Sequence, residues 1–500
     1  RTFEYRSLKI DDNRKNDFQK IASKVSNGEF ISKLTPMQSS IFQEYLRKAT
    51  LTNNYTVQVV FEVTGNVSLK LLKEAFKKVV DNNEIFKMRY LYKGLTDIYQ
   101  VLTTESKADI DVYHESDENE IWDMLNETSK KCFKLDEDAL IKFSCFVKED
   151  NKKIISFTYH HIIMDGWSIN EFIQEFLKVL RGGELTKKKT DITRYVNTVH
   201  NYNIEQVKNY WKNYLYEYEN RAVIPSFNIG ETYHTDFVKI KRFKIINIIH
   251  KIQNLKKSNN SLSVNDFILG SWGIVLQKLT DSKDVVFGTI ISGRNSEIVD
   301  FVNVIGLLIE QVPIRVKNKN NTFLEIIERV NHDLSTIPTH NNLSISEIMS
   351  LVNSVVPQHR AIIDNYPDTF KKRQKIDNES TIEFKNYYEQ NSIDFGIDFT
   401  IENKDLIVEI KYNNKIYSDY DISKVQDIFK KVITEGTESP NIKVDKISII
   451  EEEEMNLITS YEKGPISKKK SNSMLEQFSN IVKKNLNSVA VSGEKFSWTY

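Results

Sequence analysis

The chain has 500 residues, 40% hydrophobic and 11% aromatic, enough for packed domains and too apolar for an intrinsically disordered chain. Its 69 basic and 69 acidic residues cancel, which argues against a polyanion-binding surface and so against nucleic acid as a partner. The length exceeds what one core supports, so two or three compact units are expected.

Residues 1–27, with "DDNRKNDFQK" at their centre, are polar and read as a linker from a preceding domain. "YTVQVVFEV" (55–63) alternates like a strand, and "LKLLKEAFKKVVDN" (69–82) repeats at helical spacing. "IKFSCFVKE" and "KKIISFTYH" are two strands, a hairpin around "EDN". A helix follows with Ile169, Phe172, Ile173, Phe176, Leu177 and Leu180 on one face, stopped at "RGG", where Gly182 or Gly183 can take a left-handed cap. The Lys-, Asn- and Tyr-rich stretch 184–230, with helical "IEQVKNYWKNYL", holds the join between halves, 28–205 and 206–450. The second half repeats the theme with helices at 263–280 and 323–335, strands at 284–292 and 306–316, an antiparallel pair over 392–413 and a last helix, "DISKVQDIFKKVITEG". Residues 451–470 read as a charged linker, and 471–500 as the start of something new. No short-period repeat occurs, which excludes solenoids and propellers.

Cys132 and Cys145 are too few for a disulfide framework or a thiolate metal cluster and read as reduced core residues. No apolar run is long enough to span a bilayer and no signal peptide stands out, so no membrane partner is expected and the location is expected to be cytoplasmic. From Arg1 to "KFSWTY" the chain reads as a fragment of a longer one.

The chemistry concentrates in "ISFTYHHIIMDGWSINEF" (155–172). If it is a strand entering a turn, alternation sends Ile155, Phe157, Tyr159 and His161 to one face and Ser156, Thr158 and His160 to the other. Adjacent imidazoles then face opposite ways and cannot share a task. One can face a reaction channel while the other is held inside, and spacing does not say which. Ser168 and Glu171 match an S-x-x-E capping box, which places the helix start just after "DGW". Its first-turn amides carry partial positive charge that suits an oxyanion or carboxylate. Gly166 either lets a substrate approach the backbone or supplies a positive φ. Metal is not expected, since neighbours in a strand diverge and no third His or Cys ligand has the right spacing. A G-x-S-x-G elbow and a phosphate loop are both missing.

"HHIIMDG" matches the HHxxxDG signature, and the chain resembles condensation domains of nonribosomal peptide synthetases. "LTPMQSSIF" (34–42), "VVDNNEIFKMRY" (79–90), "DVVFGTIISGR" (284–294), "VIGLLIEQVPIRV" (304–316) and "DNYP" (364–367) resemble further segments of that family, over about residues 28–450. The resemblance implies an α/β fold of two chloramphenicol-acetyltransferase-like lobes, a V-shaped pseudodimer, read as a monomer. The tail "MLEQFSNIVKKNLNSVAVSGEKFSWTY" resembles the first segment of an adenylation domain. "LTPMQ", "MDGW" and "NYP" lean toward the subtype that takes a D-configured donor.

The activity so implied is peptide-bond formation: an amine on one carrier-tethered aminoacyl group attacks the thioester on another. No cofactor is expected on the chain itself; 4'-phosphopantetheine arrives on upstream donor and downstream acceptor carrier proteins, beside an adjacent adenylation domain. The resemblance makes His161 the channel-facing residue, as a base or as a positioner of the amine, and His160 its support. Asp165 is either an acid or base in the channel or an anchor paired with Arg294, and the rarity of unpaired buried charge favours the anchor. Trp167 is expected to pack between the lobes or beside the channel. Where the family has Asn-Thr the chain has Glu310-Gln311, expected to line the channel; Asn82 and Asn83 replace a His-Arg pair, and a late "RDxSRNPL" motif has no counterpart. Three alternatives remain: an epimerisation domain, a non-catalytic recruiting domain of the same fold, and a coenzyme A-dependent acyltransferase.

Overall fold

The computed structural model describes residues 12–25, 28–47, 55–148, 152–186, 191–219, 222–226, 238–257, 261–294, 301–340, 342–364, 369–389, 394–450, 452–463 and 473–500. The expected hairpin tip at 149–151 and the "NYP" of "DNYP" lie outside them. The chain divides into two compact units, Arg1–Ile447 and Ser448–Tyr500.

The first unit begins with helix α1 (Asp12–Lys24), strand β1 (Gly28–Lys33) and helix α2 (Pro36–Arg47). Residues 12–24, read as part of a linker, thus form a helix. Phe18 and Ile21 of α1 are buried against Ile31, Tyr99 and Val101, and Asp17 accepts from the backbone N–H of Thr96 at 2.9 Å.

Next come β2 (Thr56–Thr64), α3 (Leu69–Asn82), β3 (Met88–Leu91), β4 (Tyr99–Thr103), β5 (Asp109–His114) and α4 (Glu118–Ser129). They are followed by β6 (Ile141–Val147), β7 (Lys153–His160), α5 (Gly166–Leu180), α6 (Ile192–His200) and α7 (Ile204–Tyr214). Helix α3 has the expected bounds because its apolar positions recur at three and four residues, burying Leu72, Ala75, Phe76, Val79 and Val80, while Ser68 caps Leu71 N–H.

The second half supplies β8 (Val238–Ile245), α8 (Ile248–Lys256), α9 (Val264–Thr280), β9 (Asp284–Ser292), β10 (Ile309–Lys317), α10 (Phe323–Thr336) and α11 (Ile345–Ser350). It ends with β11 (His359–Asp364), β12 (Gln374–Lys375), β13 (Thr381–Glu389), β14 (Phe395–Glu402), β15 (Asp405–Asn413) and α12 (Asp419–Glu438).

Two six-stranded sheets carry the unit, ordered β12-β13-β2-β7-β6-β5 and β10-β9-β11-β14-β15-β8, beside a small sheet β1-β4-β3. Strand β7 is buried at every residue. Ile155, Phe157 and Tyr159 join the large core with Phe76 of α3 and Phe172 of α5. On the other face Thr158 accepts from Gln58 Nε2 at 3.0 Å, and Ile121 and Leu125 of α4 pack on Val60 and Phe146.

The join at 205/206 divides the sequence but not space. Strand β13, from the second half, pairs antiparallel with β2 of the first, and Phe301, Val304, Leu308, Phe370 and Ile382 belong to the first core. Cys145 is buried as expected, whereas Cys132 is exposed; both are free.

In the second unit the stretch read as a charged linker holds helix α13 (Glu452–Lys463), followed by α14 (Met474–Lys484) and a hairpin of β16 (Val489–Gly493) and β17 (Phe496–Thr499). Helix α14 is capped by a Ser473–Glu476 box and buries none of its residues. Among the described residues no helix is long and apolar enough to cross a membrane.

Candidate active site

The sheet ladder fixes both histidines. The N–H of His160 donates to the Leu140 carbonyl at 3.0 Å and that of His161 to the Tyr55 carbonyl at 2.7 Å. From there the rings diverge, as strand alternation requires.

His160 is 2% exposed, between the rings of Phe133 and Tyr55 at 6.1 and 6.2 Å. Its Nδ1 accepts the Ile162 backbone N–H at 3.1 Å, so the neutral ring carries its proton on Nε2. Burial, with the neighbouring His161 adding to it, pushes the imidazole down to about 3. His160 is neutral at physiological pH and cannot act as a base from that pocket.

The His161 side chain keeps 15% of its surface exposed, and its Nε2 lies 3.8 Å from Glu389 Oε1 on β13. Its Nδ1 is buried without a hydrogen-bond partner among the described residues.

After the histidines, Ile162, Ile163 and Met164 drop into the core and Asp165 caps α5 by accepting from Ser168 N–H at 2.9 Å. The expected Ser168 cap is thus displaced: the helix starts at Gly166, and Ser168 is its third residue. The Ser168 hydroxyl instead donates to the Gly306 carbonyl at 2.6 Å and accepts from Gly306 N–H at 2.9 Å and Arg294 Nη2 at 2.8 Å. Gly166 sits at the first helical position, and the positive-φ glycines among the described residues are Gly65, Gly94 and Gly182. Gly182 is the left-handed cap expected at "RGG".

Asp165 is fully buried. Its oxygens accept from Arg294 Nη1 at 2.7 Å and Nη2 at 2.9 Å, and from Ser168 N–H and Leu308 N–H at 2.9 Å each. Burial alone would raise this carboxyl, but the Arg294 charge and those donors together hold it below the usual range. With four acceptor bonds made, no lone pair is left for a substrate. Asp165 is an anchor. Trp167 stands over Arg294, 5.8 Å from the guanidinium carbon to the ring centre, and donates from Nε1 to the Val302 carbonyl at 2.9 Å.

Glu310 does not line an open wall. It is 3% exposed, accepts the Tyr195 hydroxyl at 2.9 Å, and is pushed up to about 8 by burial. Gln311, one residue along β10, is half-buried with Nε2 beside Gly288.

Sequence reasoning missed Glu389. Across β13-β2-β7 it lies opposite Val57, which lies opposite Tyr159, so it shares the face His161 occupies two residues on. Tyr387, two residues earlier, donates its hydroxyl to Glu389 Oε2 at 2.9 Å. Asp364 of β11 is raised to about 7 by burial, the nearby Asp398 and, more weakly, Glu389. Lys411 of β15 pairs with Asp398 at 2.6 Å. Polar groups of the second sheet therefore approach the His161 side of the first. The described residues contain no group of three or more His, Cys, Asp or Glu arranged to hold a metal ion.

This arrangement agrees with the comparisons. Residues 29–459 match the condensation domain family, and the chain belongs to it. It is 26% identical over 458 residues to tyrocidine synthase 3 of Brevibacillus parabrevis, covering 88% of this chain and 7% of that one. With bacitracin synthase 1 of Bacillus licheniformis it shares 24% over 421 residues, covering 81% and 8%. The chain thus spans a small part of each of these relatives. Among solved structures it resembles the first condensation domain of the calcium-dependent antibiotic synthetase in complex with a substrate analogue, with a TM-score of 0.63 and 16% identity over 84% of this chain and 99% of that one. It also resembles the X-domain from teicoplanin biosynthesis in its complex with OxyB, with a TM-score of 0.71 and 15% identity over 84% and 96%. These two establish the chloramphenicol-acetyltransferase-like α/β fold and do not choose between roles.

Proposed function

We propose that the chain forms an amide bond between a donor acyl thioester and the amine of an acceptor aminoacyl thioester, both tethered to carrier proteins. The observation that carries this reading is the asymmetry of the signature: His160 is sealed and Asp165 has every acceptor site taken, while the His161 side chain keeps part of its surface open. His161 Nε2 is the group placed to hold the acceptor amine. The N–C bond forms as the C–S bond breaks, and the proton lost from nitrogen ends on the departing thiolate. An α-amino group titrates near pH 8, so some of it is neutral at working pH, and orientation supplies much of the acceleration. Carrier proteins on the donor and acceptor sides would bring 4'-phosphopantetheine arms, with an adenylation domain adjacent.

His161→Ala should lower product from two chemically loaded carriers at least 100-fold, read by mass spectrometry, with an unchanged melting temperature. Unchanged product would refute the role. Comparing L- and D-donors in that assay fixes the donor configuration.

The Glu389 carboxylate facing His161 favours a second reading, epimerisation, in which two groups remove and return a Cα proton. Deuterium uptake at Cα from heavy water, without amide formation, would select it.

A further inference from the structure

We infer that Glu389 is a second contact for the acceptor's amino group, its carboxylate and His161 Nε2 together holding one nitrogen. The inference rests on the condensation reading of this site.

Three observations converge. First, the 3.8 Å between His161 Nε2 and Glu389 Oε1 is too long for a direct hydrogen bond, yet close enough for one nitrogen lying outside the pair to donate to both. Second, both groups are partly open, with side-chain exposures of 15% and 22%, whereas His160 and Asp165 are closed. Third, Glu389 is oriented by its own strand: Tyr387 holds Oε2 at 2.9 Å, which turns Oε1 toward the imidazole.

Strand β13 delivers the carboxylate by an irregularity. Phe384 pairs with Phe61, but the register then slips so that Asn386 pairs with Val60, Tyr387 with Val59 and Glu389 with Val57. The extra residue, Lys385, moves Tyr387 and Glu389 onto the face of Phe384; an unbroken strand would point them the opposite way. Asp364 and Lys411 of the second sheet lie within electrostatic range of Glu389.

The chemical value lies in charge. When a neutral amine attacks a thioester carbon, its nitrogen becomes positive before it loses a proton. A fixed carboxylate beside that nitrogen stabilises the developing charge more than the neutral reactant. It also favours an amine-bearing acceptor over an acyl group of the same shape without one.

The experiment uses the full chain and two non-hydrolysable probes: glycyl-pantetheine with the thioester replaced by an amide, and its acetyl counterpart. Calorimetry should show wild type preferring the glycyl probe, and Glu389→Gln losing about tenfold for it and nothing for the acetyl probe, as for one charge-assisted hydrogen bond. Glu389→Asp should recover part of the loss, and melting temperatures should match. Wild type failing to prefer the glycyl probe, including binding neither, overturns the inference. So does an equal loss for both probes. The condensation reading fails separately: a tenfold amine-specific loss with no amide formed by wild type leaves the contact standing and removes the reaction.

Discussion

Asp165→Asn should unfold the signature turn rather than disarm a catalyst. All four groups around the carboxylate are donors: two from Arg294, and the backbone N–H groups of Ser168 and Leu308. Asparagine offers one oxygen and an NH2 group, so at least one donor must face a donor. The Arg294 guanidinium, 2% exposed, is left without its counter-charge. Breaking a buried pair by removing one member costs about 3–5 kcal/mol, and loss of the α5 cap, worth about 1 kcal/mol, lies within that figure. For a unit this large the melting temperature should fall by roughly 3–5 °C. Scanning calorimetry on the purified chain measures it. Adding Arg294→Met to Asp165→Asn should restore part of the loss, because the orphaned cation goes too. An Asp165→Asn chain that melts within about 1 °C of wild type and forms no amide would refute the argument and return Asp165 to the chemistry.

Two predictions concern pH. His160 is held near 3 when folded against about 6.5 when unfolded, so below pH 6.5 the unfolded chain binds the extra proton. Stability should fall as pH drops from about 6.5, by up to about 1.4 kcal/mol per unit from this group, and urea midpoints at pH 7, 6 and 5 should show a shallower fall in His160→Leu. Glu310 acts in the opposite sense. Its folded value of about 8 lies above the ordinary carboxylate value, so its contribution is complete at low pH and is lost as pH rises from about 4.5 through 8. Glu310→Gln should remove that decline, and a Gln variant as steep as wild type between pH 5 and 8 would show that the carboxyl is not held neutral. At Gly293 a Cβ would lie 2.5 Å from the Tyr195 hydroxyl and 2.6 Å from the Leu308 carbonyl oxygen, so Gly293→Ala should cost about 1–3 kcal/mol in chemical denaturation.

How much of this was legible depends on the range of the interaction. Helix α3 and the divergence of the two imidazoles follow from local periodicity, and local periodicity was enough. The Arg294 partner of Asp165 came through resemblance, since 129 residues separate the pair and nothing local links them. The capping box at Ser168 failed for a physical reason. Asp165 and Ser168 compete for the helix start, and the buried carboxylate must be satisfied on every side, so it takes the cap and frees the hydroxyl for Gly306 and Arg294. Helix α1 escaped notice because Phe18 and Ile21 are its buried apolar positions, too sparse to stand out in a charged segment.

Glu389 shows where pattern reading stops. Strict alternation from Phe384 puts residue 389 on the far side of the sheet, away from His161. The slip after Phe384 reverses that, and its energetic cause lies in pairing with β2, more than 300 residues earlier in the chain. A strand with one face in the core cannot slip whole, because every side chain would change sides. A local bulge lets Phe384 stay in the core while Tyr387 and Glu389 turn onto the same face. The placement of Glu389 beside His161 is therefore set by sheet register, which no single segment of the sequence encodes.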